Sequence, residues 1–121
     1  MRVAGLGFRA SATAASLRAA LAAAGAADAD ALATLAEKAD APVLTALAET
    51  LRLPVIAVPA AALAGIATLT NTPRQQALFG TGSLAEAVAL HAAGPGARLR
   101  APRVISPDGL ATAAIAERSS P

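Results

Sequence analysis

Val3-Ala4-Gly5-Leu6-Gly7-Phe8-Arg9-Ala10-Ser11 opens the chain with an apolar run that ends on two glycines and gives way to an arginine and a serine. Residues 3–6 read as a short buried strand, and Ser11 reads as the cap of a following helix, because its side-chain oxygen can accept from the first free amides. Glycine has no Cβ, so Gly5-x-Gly7 at a strand end permits either a tight turn or the close approach of a ligand or another segment. Arg9 adds a planar cation with several donors beside that turn. A strand that closes on such a bend and feeds a helix is the unit from which α/β layers are built.

Working outward, Leu17, Ala20, Leu21 and Ala24 fall at i, i+3, i+4 and i+7, which gives one apolar stripe, and Gly25 stands where a helix C-terminus is usually closed. Asp40-Ala41-Pro42 offers a cap and a proline in a first helical turn, and Leu44, Leu47, Ala48 and Leu51 supply the next stripe. Residues 32–36 then become the second strand, ending at Glu37 and Lys38. Leu53-Pro54-Val55-Ile56-Ala57-Val58 closes at Pro59 and reads as a strand buried on both faces, followed by a helical turn over 60–64.

Residues 65–82 are polar and interrupted by Pro73 and Gly80, so a long excursion is expected, with a turn of helix over 75–79. Ser83-Leu84-Ala85-Glu86 fits the S-x-x-E capping box of a helix that runs to about Ala93 and stops at Gly94-Pro95-Gly96. Leu99 and Val104-Ile105 flank Pro102, and residues 110–116 follow the Pro107-Asp108-Gly109 turn, which predicts a terminal antiparallel hairpin. The expected fold is α/β: a single small three-layer domain over residues 1–121, with a mixed sheet and a C-terminal antiparallel hairpin.

Composition narrows the function classes. Hydrophobic residues make up 55% of the 121 positions but aromatics only 2%, so the core must be built from alanine, leucine and valine at close range. The formal net charge is +2 with no block of like charge, and no Trp or Tyr is present to stack on bases, so nucleic acid is not an expected partner. Absence of cysteine excludes a disulfide framework, a zinc thiolate site and a cysteine nucleophile together. Only six uncharged residues separate Arg2 from Arg9, too few for a secretion signal's apolar region of about 7–15 residues, so the cytoplasm is the expected location. Residues 53–73 carry no charge, yet Pro54, Pro59, Gly65 and Pro73 interrupt them and their last third is polar, so no membrane span is expected.

The chemical inventory is thin. His91 is the lone histidine, with no acidic residue near it in sequence to orient the ring, and no metal-ligand spacing exists. Lys38 is the only lysine, at the C-terminal edge of the proposed second strand, where α/β sheets gather ligands. Glu86 is accounted for by the capping box, while a helix start rising from Gly80-Thr81-Gly82 can also receive a carboxylate or phosphate. Arg98, Arg100 and Arg103 suit either a solvated sheet edge or ligand binding. Gly5-x-Gly7-x-x-Ala10 matches the dinucleotide fingerprint loosely, but Asp28 and Asp30 precede the second strand instead of ending it.

Taken together, the pieces resemble the cobalamin-biosynthesis family of CobE and the C-terminal domain of CbiG. They are Gly5-Leu6-Gly7-Phe8-Arg9, Leu32-Ala33-Thr34-Leu35 with Lys38-Ala39-Asp40, Leu53-Pro54-Val55, Gly82-Ser83-Leu84-Ala85-Glu86-Ala87 with Leu90, and Thr112-Ala113-Ala114-Ile115-Ala116. Chain length favours the stand-alone CobE type. Two positions depart from the family pattern: Phe8 stands where a cysteine is usual and Gly82 where a proline is frequent, so no thiol role transfers.

The resemblance implies work on a corrin-ring intermediate, of precorrin or hydrogenobyrinic-acid type, by binding it and assisting its hydrolysis or transfer. The related CbiG is associated with opening a lactone of a cobalt-containing corrin precursor, which makes an accessory hydrolase one form of this reading. The expected ligand-binding residues are Gly5, Gly7, Arg9, Lys38, Gly82, Ser83 and Glu86, with no metal and no cofactor. Corrin precursors are rich in carboxylates, which backbone amides, Arg and Lys receive. Expected partners are a corrinoid tetrapyrrole intermediate, other cobalamin-pathway enzymes and a second copy of the chain. Alternatives are a non-catalytic scaffold subunit and a dinucleotide-binding module.

Overall fold

In the computed structural model, which describes residues 1–119, the opening run forms strand β1, Arg2–Phe8. Successive side chains alternate between two cores, as the period of a strand requires. Ala4 and Leu6 enter one core and Val3 the other. Helix α1, Ala14–Ala24, leads to β2, Ala31–Leu35, and α2, Pro42–Leu51, leads to β3, Val55–Val58. The three strands pair in parallel, with Val3 opposite Ala31 and Leu32 opposite Val55. Leu17, Ala20 and Leu21 of α1 and Leu44, Leu47 and Ala48 of α2 bury their stripes on the Ala4 and Leu6 side.

After β3 the chain crosses to the opposite face. There it forms the short helix α3, Pro73–Phe79, and then α4, Leu84–Ala93, whose Ala87, Val88, Ala89 and Ala93 pack with Val3, Ala33, Leu35 and Val58. Two short strands follow, β4, Arg98–Leu99, and β5, Val104–Ile105, before the long β6, Ala111–Glu117. β6 lies antiparallel to β1 along its whole length, from Arg2 opposite Glu117 to Phe8 opposite Ala111. β4 and β5 pair with its other side, giving the order β3-β2-β1-β6-β4. The result is a small α/β domain of three layers around a mixed six-stranded sheet that ends in antiparallel strands. No helix among the described residues is long and apolar enough to cross a membrane.

Several local expectations are corrected. The cap of α1 is Thr13, not Ser11: Thr13 Oγ1 accepts from the Ser16 amide at 3.2 Å and Ser16 Oγ accepts from the Thr13 amide at 3.1 Å. A residue that can close the loop at both ends wins over one that is merely earlier. Asp40 does not cap α2, which starts at Pro42 behind Ala41 with no side-chain cap. Strand β3 is not buried on both faces but is a sheet edge, with Ala57 exposed, because the last strand enters on the far side of β1 and leaves β3 one neighbour. Pro54 and Pro59 flank it and blunt that edge.

Candidate functional site

Parallel strands bring their C-terminal ends to one edge of the sheet, so β1, β2 and β3 end together at Phe8, Leu35 and Val58. Beyond β2 the chain makes a 3-10 turn, Ala36–Lys38, which carries Lys38 back over β1. Its Nζ lies 5.3 Å from the centre of the Phe8 ring. A cation over an aromatic face gains about 0.5–1 kcal/mol at an exposed site, enough to bias the position of the ammonium group. Arg9 follows Phe8 directly and is exposed; its backbone amide donates to the Leu110 carbonyl at 2.9 Å. Among the described residues neither Arg9 nor Lys38 joins an ion pair, whereas Arg2 and Arg100 are tied to Asp28 and Glu117.

The glycines explain why α4 reaches this edge. A Cβ on Gly5 would collide with the Ala85 carbonyl oxygen and lie 2.8 Å from Ala89 Cβ, so the helix backbone rests directly on the strand. Gly7 is looser: its Cβ would meet Thr112 Oγ1 at 2.9 Å and Leu84 Cδ2 at 3.8 Å. Helix α4 therefore begins beside the end of β1 and runs back along it. The last carbonyls of β1 are held by hydroxyls on either side, with Thr34 Oγ1 donating to Leu6 at 2.9 Å and Thr112 Oγ1 to Gly7 at 3.3 Å.

At the start of α4 the expected capping box is absent. Ser83 is the N-cap residue, but its side chain makes no cap bond; the hydroxyl oxygen is buried and has no hydrogen-bond partner. A buried polar group left unpaired costs about 1–3 kcal/mol. The first helical amide, of Leu84, donates instead to Gln75 Oε1 of α3. Glu86, fully buried, turns away from the cap and accepts three backbone amides: Leu69 at 2.6 Å, Thr70 at 2.9 Å and Arg103 at 2.9 Å. One carboxylate thus pins the 65–82 excursion and the segment between β4 and β5 to the same helix. Gly82 is sealed as well, since a Cβ there would collide with Asn71 Oδ1 and lie 2.6 Å from the Thr70 carbonyl oxygen.

The seven expected residues therefore divide by surroundings. Gly7 lies against the start of α4, just after Ser83, on one face of the sheet; Lys38 lies over Phe8, which packs with the core of the other face, and Arg9 is next in the chain; Gly5, Gly82 and Glu86 stand in tight packing or hydrogen bonds. Gln75, Thr34 and Thr112 were not among the expected residues, because each acts on a segment distant in sequence. His91 is exposed in the last turn of α4, at the end away from Ser83. No group of three or more His, Cys, Asp or Glu among the described residues could hold a metal ion. Recesses of about 240 Å³, beside Leu21, Leu32 and Leu53, and about 400 Å³, beside Arg98 and Glu117, lie at the opposite end of the sheet.

The family model described as "Cobalamin synthesis G C-terminus" matches residues 2–116. No curated protein matches the sequence significantly. Among solved structures, that of CobE, a protein from the cobalamin (vitamin B12) biosynthetic pathway, superposes with a TM-score of 0.84 at 30% identity, covering 100% of this chain and 92% of the other. The cobalamin biosynthesis protein chiG from Agrobacterium tumefaciens str. C58 superposes with a TM-score of 0.74 at 36% identity, covering 99% and 100%.

Proposed function

Because the chain belongs to the cobalamin-biosynthesis family of CobE and the CbiG C-terminus, we propose that it binds a carboxylate-rich corrin intermediate at the C-terminal edge of β1–β3. Lys38 and Arg9 receive peripheral carboxylates of the macrocycle, and Gly7 leaves the strand end approachable. Gly5, Gly82 and Glu86 hold the backbone that shapes this edge. One observation carries the reading: Lys38, the only lysine in the chain, is steered over Phe8, the residue before Arg9, and neither cation is neutralised by an ion pair among the described residues. The groups on this edge suit holding a polyanion and passing it on, because none of them is a nucleophile paired with a base.

Titration with hydrogenobyrinic acid, followed through the corrin absorbance, tests this. Binding in the micromolar range is expected, and Arg9→Ala and Lys38→Ala should each weaken it about tenfold, the worth of a charge-assisted hydrogen bond. Failure to bind, or binding unchanged in both variants, removes the assignment.

A further inference from the structure

The α4 N-terminus is occupied by the protein itself. Three facts meet there. The Leu84 amide, which a ligand carboxylate would seek, already donates to the side-chain oxygen of Gln75 at 2.5 Å. Beside it the Ser83 hydroxyl is closed off from solvent with no partner, on a residue that is 0% exposed. The helix that supplies Gln75 is only seven residues long and has no buried residue, so little packing holds it in place. A polar group sealed without a partner marks a place where a better acceptor or donor is missing.

We infer that Gln75 is a built-in competitor for the anion site of α4, its carboxamide oxygen standing where one oxygen of a ligand carboxylate goes. The inference rests on the proposed corrin-binding edge and adds how that edge opens. An incoming carboxylate takes the Leu84 amide from Gln75, and its second oxygen accepts from the Ser83 hydroxyl. A carboxylate is the stronger acceptor because it carries charge at the positive end of a helix dipole. Only the Gln75 side chain has to turn away: the ends of α3 stay held by the Thr72 amide on the Gly82 carbonyl and the Gly65 amide on the Gly80 carbonyl, both at 2.9 Å, and Glu86 keeps Leu69 and Thr70 fastened. Gln75 is thereby a side-chain latch on the first amide of α4, carried by a fixed segment.

Gln75→Ala and Gln75→Glu separate this from a merely structural cap. The first removes the competitor, and the second replaces it with a tethered carboxylate that holds the site harder. Wild type and both variants are titrated with hydrogenobyrinic acid and, separately, with citrate, while the Leu84 and Ser83 amides are followed by nitrogen-15 NMR. Gln75→Ala should bind about fivefold more tightly than wild type and Gln75→Glu about fivefold more weakly, the usual worth of one cap. The Leu84 resonance should move on ligand addition. Equal affinities in all three proteins, or a Leu84 amide that no ligand perturbs, overturn the inference even if corrin binding persists at Arg9 and Lys38. Should citrate follow the expected order while the corrin binds none of the three, the latch stands and the corrin reading falls.

Discussion

A single methyl group at Gly5 should be felt throughout the protein. The new Cβ has no way past the Ala85 carbonyl, which belongs to helix backbone, so α4 must lift from the sheet. Overpacking of this kind costs about 1–3 kcal/mol or more, and Gly5→Ala should lower the thermal midpoint by several degrees. Gly7→Ala is the control. Its Cβ is crowded only by the Thr112 hydroxyl, which can rotate aside at the cost of its 3.3 Å bond to the Gly7 carbonyl, and the gain from a stiffer unfolded chain offsets part of that, so its stability should stay within about 1 kcal/mol of wild type. Calorimetry on the two variants reads the difference. At this scale the two glycines of β1 announced that a turn or a close approach was to come. They did not say that a helix some eighty residues later would claim the first of them. Lys38 was placed at the sheet edge by strand polarity alone, whereas Gln75 was invisible, because its role depends on how α3 folds over α4.

Elements are joined at their ends by polar groups whose effect can be titrated. In the turn between β5 and β6, Asp108 accepts from Ser106 Oγ at 2.6 Å and from the Leu110 amide at 3.0 Å, and its second oxygen accepts from Ser16 Oγ of α1 at 2.6 Å. The Ser106 and Ser16 hydroxyls and the Leu110 amide hold its carboxyl below the ordinary aspartate value of 3.8. A folded pKa below the unfolded one means stability that is fully present above the unfolded value and is lost as pH falls through the folded one. Asp108→Asn should therefore destabilise the protein at neutral pH, and its deficit relative to wild type should shrink below about pH 4. Urea midpoints of both proteins across pH 2.5–7 check the sign, and a deficit that is constant with pH would refute it. The helices α1 and α2 were legible from apolar spacing, and α4 from its Ser83-x-x-Glu86 start, although the capping box itself does not form, and its Gly94 stop. Their caps were not, because Thr13 outcompeted Ser11, and the Glu86 carboxylate turned to the Leu69, Thr70 and Arg103 amides instead of the Ser83 amide. β3 looked like a central strand for want of any local sign that its second neighbour would be missing.

Across the whole molecule the last strand is among the most central. β6 sits between β1 and the β4 and β5 edge, so the sheet cannot be completed until the C-terminal segment arrives. A chain ending at Gly109 should accordingly remain unfolded, without a cooperative urea transition, while one ending at Arg118 should fold; far-UV circular dichroism distinguishes them. The alternation of strands and helices made the α/β class legible, and the hairpin signal after Pro107 made the sheet mixed. The insertion of that hairpin beside β1 instead of at an outer edge is a fact of long-range packing. The same pairing brings Met1 and Arg118 together: the Met1 amino group donates to the Arg118 carbonyl at 3.0 Å, and the Arg118 amide to the Met1 carbonyl at 3.0 Å. They meet at the beginning of β1, while Lys38 stands past its end, about 20 Å away for a strand of seven residues. An affinity tag or a fused enzyme joined beside Met1 is therefore moored at the pole opposite Lys38 and leaves that end of the sheet uncovered.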